Sequence, residues 1–279
     1  MTTLADELTQ FRDFVRQHPR LVILTGAGIS AGSGIPTYRD AEGRWLYSEP
    51  IQHRDYIQKP ETRQRYWTRS FYGWPAIRDA QPNAGHRALA LLQRQGHVDL
   101  LVTQNVDRLH QRAGSSEVID LHGRLDRVRC LTCARCVPRE WMQAQLSQHN
   151  PGLNSLVQAV LQRPDGDMAT PDAHAHNTRV PACEHCGGVL IPDVVFFGGT
   201  VPRTRVDLTL EAIARADALL VIGSSLQVYS GFRFCRAAHA QGKPLVLFNP
   251  GHTRADDLAT LKFASPCDTL LSGLGNNSV

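Results

Sequence analysis

The sequence lacks any apolar run that approaches the roughly 20 residues a helix needs to cross a bilayer, and it contains very little lysine. Its 30 cationic residues include only three lysines, Lys59, Lys243 and Lys262. The arginines are scattered, so there is no continuous basic stripe of the kind that follows a phosphate backbone. These absences argue against both an integral membrane protein and a nucleic-acid partner.

Residues 1–15 also lack a targeting signal. They have no basic start with an apolar core, and the acids Asp6, Glu7 and Asp13 are untypical of a transit peptide. A dispersed disulfide framework is missing as well, because the seven cysteines are an odd number and five of them crowd into residues 130–186. We therefore expect a cytoplasmic protein with bound zinc.

The remaining composition is that of a globular protein, with 279 residues, 42% hydrophobic, 20% charged and a formal charge of +4. Short apolar runs predict buried strands at residues 21–24, 98–102, 218–222 and 245–248. Helical patterns cover residues 1–17, 84–95 and 231–241. Because strands alternate with helices, we expect an α/β fold with a Rossmann-like, doubly wound parallel sheet.

Two segments interrupt this alternation. Residues 41–82 are rich in aromatic and arginine side chains, which predicts a loop and short helices over the sheet edge. Residues 129–188 hold the clustered cysteines in a polar stretch too small to build a core without a metal. We therefore assign residues 1–128 and 189–279 to the Rossmann-like domain and residues 129–188 to an inserted zinc-binding domain.

A glycine loop follows the first predicted strand. Gly26, Gly28 and Ala31 satisfy the loose pattern of dinucleotide-binding turns, in which missing side chains let backbone N–H groups approach a pyrophosphate. A merely tight strand-to-helix turn would give the same pattern. A dehydrogenase should also have an acid at the end of the next strand, but here the chain continues into Thr37-Tyr38-Arg39, so hydride transfer is not expected.

Polar side chains follow three later strands. Since the carboxyl ends of parallel strands share one edge of a sheet, these side chains should converge with the glycine loop on one ligand. These side chains belong to Gln104, Asn105 and Asp107 and to the segments Gly223-Ser224-Ser225 and Asn249-Pro250-Gly251. Capping of the next helix is an alternative role for Asp107. His122, beside Gly123, is a candidate general base, although a lone histidine among 12 proves nothing.

The cysteine pairs give the strongest signal. Cys130-x-x-Cys133 and Cys183-x-x-Cys186 can form two turns that point four thiolates at one ion, as in closed structural zinc sites. Cys136 offers a competing pair with Cys133. A catalytic zinc is not expected, because four thiolates leave no position open for water.

Together these residues resemble the sirtuin family. The motifs run in order over nearly the whole chain, and they are Gly26-Ala27-Gly28-Ile29-Ser30, Gly34-Ile35-Pro36-Thr37-Tyr38-Arg39, Thr103-Gln104-Asn105-Val106-Asp107, His122-Gly123, the two cysteine pairs, Gly223-Ser224-Ser225-Leu226 and Asn249. Pro192-Asp193-Val194-Val195-Phe196-Phe197-Gly198 and Leu226-Gln227-Val228-Tyr229-Ser230-Gly231 are similar to the class II branch, which includes the mitochondrial lipoamidase-type sirtuin.

The resemblance implies an NAD-dependent protein-lysine deacylase that acts on acetyl, longer or acidic acyl groups. The acyl oxygen displaces nicotinamide from the ribose, and O-acyl-ADP-ribose and free lysine are formed. His122 would be the general base, with Asn105 and Asp107 also catalytic. The residues implied to bind NAD are Gly26, Ala27, Gly28, Ser30, Pro36, Thr37, Tyr38, Arg39, Gln104, Asn105, Val106, Asp107, Gly223, Ser224, Ser225, Asn249, Pro250, Gly251 and Cys267.

The same resemblance implies acyl-lysine proteins or peptides as partners and one structural zinc ion per chain, and we expect a monomer. The residues implied to clamp the substrate backbone are Val194, Val195, Phe196, Phe197, Gly198, Gln227, Val228 and Tyr229. The sequence departs from the motifs of the family at two positions. Gly199 replaces the usual acid after the Phe-Gly pair, and Ser224 replaces a common threonine. Tyr66-x-x-Arg69 matches the pair that reads carboxylate-tipped acyl groups, but any aromatic, arginine-rich helix could contain it.

Two other functions fit the sequence. One is mono-ADP-ribosyl transfer, in which a protein nucleophile takes the place of the acyl oxygen. The other is a zinc-bearing scaffold with little or no catalysis, against which the presence of Asn105, Asp107 and His122 speaks.

Overall fold

A computed structural model of the protein describes residues 3–40, 42–46, 50–155 and 177–274. In this part of the chain, nine segments form strands. They are β1 (Leu21–Thr25), β2 (Val98–Thr103), β3 (Val118–Asp120), β4 (Gly123–Cys130), β5 (Cys136–Pro138), β6 (Leu190–Val194), β7 (Ala218–Ile222), β8 (Leu245–Phe248) and β9 (Leu261–Phe263). The four strands expected from apolar runs are all present, and β1 and β2 each extend one residue further.

Nine α-helices lie in the same described residues. They are α1 (Leu4–Gln17), α2 (His53–Gln58), α3 (Pro60–Asp79), α4 (Ala84–Arg94), α5 (Leu109–Arg112), α6 (Arg139–His149), α7 (Arg203–Arg215), α8 (Tyr229–Ala240) and α9 (Cys267–Ser272). Among them, none combines the length and the apolar composition that crossing a bilayer would require. The glycine loop that follows β1 forms a short 3-10 helix, Ala27–Ser33.

The large sheet has the strand order β3-β2-β1-β7-β8-β9, and every neighbouring pair is parallel. All five residues of β1 are buried, because helices cover both faces of the sheet. Leu21 and Ile23 pack into one cluster with α1, α4 and α9, while Val22 and Leu24 pack into another with α7 and α8. The expected doubly wound α/β fold is confirmed, and the chain reverses direction across the sheet between β1 and β7.

A second, antiparallel sheet has the order β5-β4-β6. It belongs to the cysteine-bearing part of the chain, since Cys130 ends β4 and Cys136 begins β5. The boundaries predicted at residues 128 and 189 do not coincide with its ends. Residue 128 lies inside β4, and β6 begins just after residue 189.

The aromatic segment differs from the short helices expected over the sheet edge, because α3 is 20 residues long. Its Tyr66, Trp67 and Phe71 pack into one cluster with Val128 and Met142 of the smaller sheet and α6. These large side chains are buried, which explains why the helix forms against the smaller sheet.

Arg139 of α6 fixes this contact. Its guanidinium carbon lies 5.4 Å from the ring centres of both Trp67 and Trp74, and its Nη2 donates to the carbonyl and the hydroxyl of Ser70, each at 3.1 Å. Burial lowers the pKa of Arg139 to about 10, so the side chain remains a cation at neutral pH. A buried cation between two indole rings ties α3 to α6.

Candidate functional site

Two glycine loops meet at the carboxyl end of the large sheet, where β1 and β7 end side by side. The Gly28 N–H donates to the Gly223 carbonyl at 2.8 Å, and the Gly26 N–H donates to Ile222 at 3.0 Å. A Cβ on Gly28 would lie 2.7 Å from the Gly223 Cα, and one on Gly26 would lie 2.7 Å from the Ser224 Cβ. Packing between the loops therefore demands glycine at both positions, in addition to any demand of a ligand.

The polar residues after β2 are joined to this loop. Asn105 donates to the Gly26 carbonyl at 3.1 Å and to the Ser30 hydroxyl at 3.0 Å, and Ser30 donates to Asp107 at 2.7 Å. The other Asp107 oxygen accepts from the Leu109 N–H at 2.9 Å. Asp107 thus also satisfies the first N–H of α5, although the residue at the N-cap position is Arg108. Burial raises the pKa of Asp107 above its ordinary value.

Two buried histidines lie behind these groups. His110 Nε2 lies 2.9 Å from the Thr25 hydroxyl, and His86 contacts both Asn83 and Ser30. Burial lowers the pKa of His86 to about 4 and that of His110 well below its ordinary value. Both rings are therefore neutral and serve as hydrogen-bonding supports.

His122 stands between the two sheets, after β3 and before β4. Its Nδ1 lies 3.0 Å from the Gln104 carbonyl, and its Nε2 lies 2.7 Å from the Ser230 hydroxyl. Burial lowers the pKa of His122 to about 4, so the ring is neutral at physiological pH. The next residue, Gly123, has φ 87°, and a Cβ there would lie 2.1 Å from the Asp193 carbonyl. Only glycine lets the chain leave His122 in this direction.

These elements surround a cavity of about 450 Å³. Most of the predicted site residues line it, namely Gly26, Ala27, Gly28, Ser30, Thr37, Tyr38, Arg39, Gln104, Asn105, Val106, Asp107, His122, Gly223, Ser224, Ser225, Asn249, Pro250, Gly251, Cys267, Val194, Val195, Phe196, Phe197, Gln227, Val228 and Tyr66. Of the residues predicted to bind NAD or the substrate, Pro36, Gly198, Tyr229 and Arg69 are not part of its lining. Cys267 is buried beside the first glycine loop, 3.5 Å from the Gly28 carbonyl.

The sequence patterns missed an aromatic cover over one side of the cavity. Trp45 lies edge-on to Phe197 with ring centres 5.6 Å apart, and the Arg39 guanidinium lies 3.9 Å from the Trp45 ring centre. Arg39 also donates to the Gly43 carbonyl at 2.7 Å. The concentration of aromatics in residues 41–82 was the signal, but it could not show that Trp45 faces the cavity. Ile35 and Leu125, also missed, add apolar wall.

The sulfur atoms of Cys130, Cys133, Cys183 and Cys186 all lie within 4.8 Å of one another. The Cys130–Cys186 and Cys133–Cys183 sulfur distances are 3.5 and 3.8 Å. Four thiolates that bind one zinc ion at about 2.3 Å stand about 3.8 Å apart in a tetrahedron, so the cluster fits structural zinc. Cys136 is exposed, points its thiol toward the Ala134 carbonyl and lies outside this cluster.

Comparison with known proteins bears directly on this arrangement. The profile described as the Sir2 family matches residues 26–230, which include both glycine loops, His122 and all four clustered cysteines. The chain belongs to the Sir2 family. Resemblance to the sirtuins in the sequence is thereby confirmed.

Several Sir2 relatives are similar over almost the whole chain. An NAD-dependent protein deacetylase of Xanthomonas axonopodis pv. citri is 52% identical over 94% of this chain and 89% of its own length. A deacetylase of the same name from Bordetella bronchiseptica is 48% identical, with 98% of each chain covered. The mitochondrial NAD-dependent protein lipoamidase sirtuin-4 of Bos taurus is 45% identical over 95% of this chain and 85% of its own.

Solved Sir2 structures have the same fold. A Sir2 complex with a p53 peptide and NAD+ superposes with a TM-score of 0.77 at 30% identity, with 96% of each chain covered. A Sir2 structure bound to acetylated peptide gives a TM-score of 0.75 at 29% identity over 96% of each chain.

The packed glycine loops predict a sharp difference between two substitutions. Gly223→Ala and Gly242→Ala both place alanine at positive φ, 64° and 67°, which costs about 1–2 kcal/mol. Only at Gly223 would the new Cβ also meet backbone, 2.5 Å from the Ile29 nitrogen. We expect Gly223→Ala to lower the free energy of unfolding well beyond Gly242→Ala and to weaken NAD binding. Denaturant titration and calorimetry measure both, and equal losses in the two variants would contradict the packing argument.

The cysteine cluster predicts which thiols hold the metal. Cys183→Ser should release the zinc and lower the thermal midpoint, because one of four ligands is lost. Cys136→Ser is the matched control and should keep one zinc per chain. Metal analysis of the purified variants decides the point, and full zinc occupancy in Cys183→Ser would show that Cys136 serves as a ligand.

Proposed function

We propose that the protein is an NAD-dependent protein-lysine deacylase that consumes NAD as a co-substrate. The observation that carries this proposal is a neutral, buried His122 on the wall of a cavity that the two glycine loops also line. Acyl-lysine proteins or peptides are the expected substrates, as the relatives named deacetylases and lipoamidase suggest.

The cavity has the features that a dinucleotide needs. The loops around Gly28 and Gly223 offer backbone without side chains, which suits close approach to a pyrophosphate. Ser224, Ser225 and Asn249 line the same cavity and supply uncharged polar groups for the adenosine half. When bound, NAD supplies the ribose carbon at which the acyl oxygen replaces nicotinamide, with O-acyl-ADP-ribose as the product.

Gln104, Asn105 and Asp107 are proposed to hold the nicotinamide end. Asn105 and Asp107 are themselves fixed by Gly26 and Ser30, so their polar atoms are oriented before a ligand arrives. Preorganised dipoles of this kind favour a reaction that develops charge, because they need no rearrangement in the transition state.

His122 is proposed to be the general base. A carbonyl oxygen can only accept a hydrogen bond, so the contact between Nδ1 and the Gln104 carbonyl places the proton of the neutral ring on Nδ1. Nε2 is then unprotonated and can take a proton from a ribose hydroxyl. His122 borders the cavity, as a base for a bound co-substrate must.

The peptide is proposed to bind as an added strand between two extended segments. Phe196 and Phe197 of the first segment and Gln227 and Val228 of the second all line the cavity. Gly199 replaces the usual acid beside this clamp, and a Cβ at that position would lie 2.8 Å from the Phe196 carbonyl. The loop as it stands therefore favours the glycine.

The acyl group would enter the apolar part of the cavity, which is lined by Ile35, Leu125, Val194 and Tyr66. Recognition of a carboxylate-tipped acyl group by Tyr66 and Arg69 together stays a prediction. Tyr66 lines the cavity and Arg69 does not, so this geometry favours an apolar acyl group such as acetyl or lipoyl over an acidic one.

The remaining assignments follow from the same reasoning. The four clustered cysteines would hold one structural zinc ion, and because they are not in disulfides they suit a reducing compartment such as the cytoplasm. The enzyme is proposed to act as a monomer on peptides and not on nucleic acid.

Nicotinamide release from NAD tests this function most directly. We expect release by the zinc-loaded protein to depend on an acyl-lysine peptide, and His122→Tyr to abolish deacylated product while zinc content and folding persist. A panel of acetyl, lipoyl, succinyl and glutaryl peptides ranks the acyl groups in the same assay. Release that does not depend on peptide would favour ADP-ribosyl transfer, and no release at all would favour a binding protein.

The buried environment of His122 predicts the pH dependence. A base works only when unprotonated, and burial lowers the pKa of His122 from 6.5 to about 4. The acidic limb of kcat/KM, which reports groups of the free enzyme, should therefore lie well below pH 6.5. Activity recovered after return to pH 7.5 controls for acid unfolding. A limb at pH 6.5 would contradict the assignment of His122 as a buried base.

A further inference from the structure

The hydroxyl of Ser230 is the hydrogen-bond partner of His122 Nε2, at 2.7 Å. Ser230 is buried with 9% of its surface exposed, and it is not among the described residues that line the cavity. It therefore touches the proposed base without facing the ligand itself.

The direction of this hydrogen bond follows from the other side of the ring. Because Nδ1 carries the proton toward the Gln104 carbonyl, Nε2 can only accept, and the Ser230 hydroxyl must donate. The two nitrogens of His122 are thus held from opposite sides by two different elements, the strand end at Gln104 and the first turn of α8.

The first turn of α8 is itself fixed against Gln104. A Cβ on Gly231 would lie 2.9 Å from the Gln104 side-chain oxygen, and the Gln104 amide donates to the Ser224 hydroxyl at 2.8 Å. Gln104, His122 and the pair Ser230-Gly231 therefore form one closed set of contacts, which links the residue after β2, the residue before β4 and the start of α8. Two cations, Arg205 and Arg233, lie close enough to disfavour a charged His122.

We propose that Ser230 is a positioning residue of the deacylase, whose hydroxyl holds the His122 ring so that its unprotonated Nε2 meets the ribose hydroxyl in the correct orientation. This inference rests on the proposed function. Ser230 keeps the ring in this orientation until the base is needed. The ribose hydroxyl then replaces that of Ser230 at Nε2, one hydrogen bond being exchanged for another, and Ser230 returns to the ring when the product leaves.

The consequence is confined to the step that needs the base. In the proposed reaction the acyl oxygen first displaces nicotinamide. His122 takes the proton only afterwards, when the ribose hydroxyl attacks the acyl carbon, so nicotinamide exchange should not depend on Ser230. General-base catalysis contributes about 10²–10⁴-fold. Loss of the positioning contact should cost part of this, about tenfold in kcat for deacylated product.

The experiment compares Ser230→Ala with Ser230→Thr, which keeps a hydroxyl. We expect Ser230→Ala to lower kcat for product about tenfold while the KM for NAD and the rate of nicotinamide exchange stay near wild type. Ser230→Thr should restore most of the loss. Equal kcat in Ser230→Ala and wild type, a parallel fall of exchange and product, or a Ser230→Thr variant as slow as Ser230→Ala would overturn the proposal.

A second measurement is independent of turnover. Nitrogen NMR of histidine-labelled protein at pH 7 should show the His122 Nε2 resonance, assigned by its loss in His122→Tyr, moving in Ser230→Ala, because a nitrogen that accepts a hydrogen bond resonates apart from one that does not. An unmoved resonance would overturn the contact with Ser230. A moved resonance in a protein without nicotinamide release would instead contradict the proposed function and leave the contact standing.

Discussion

Everything at the site depends on the close approach of two backbones. Gly28 and Gly223 touch without side chains between them, and this contact brings β1 and β7 together where the sheet changes direction. A crevice opens at that point because the chain leaves the two strands toward opposite faces. Asn105 joins the arrangement through the Gly26 carbonyl. The shape of the cavity is thus set by main-chain packing, and its polar groups are added to a rigid frame.

Burial then sets the protonation states of the titratable side chains around the cavity. His86, His110 and His122 all have lowered pKa values because they are removed from water, so a chain with 12 histidines presents a neutral imidazole at its centre. The same burial raises the pKa of Asp107, and hydrogen bonds from Ser30 and Leu109 offset part of that cost. A low dielectric surrounding strengthens each of these contacts.

Features that depend on neighbouring residues in the chain could be predicted from the sequence, and features that depend on distant residues could not. The strands at residues 218–222 and 245–248 and the four clustered cysteines could be read from local patterns, since periodicity and spacing are local properties. The orientation of Trp45, the contact of Ser230 with His122 and the position of α3 could not. Each depends on residues far apart in the chain, from Ser230 against His122 to Trp67 against Arg139, and no pattern within one segment encodes such a pairing.

The burial of Arg139 determines which parts of this chain can be exchanged with a relative. Since Arg139 is held between Trp67 and Trp74, α3 shares one core with α6 and the smaller sheet. The unit that could be exchanged with a relative is therefore discontinuous in sequence. It comprises α2 and α3 together with β4, β5, β6 and α6. A chimaera that swapped the cysteine-bearing segment alone would leave two indole rings facing a foreign helix, so grafting between relatives must carry both pieces at once.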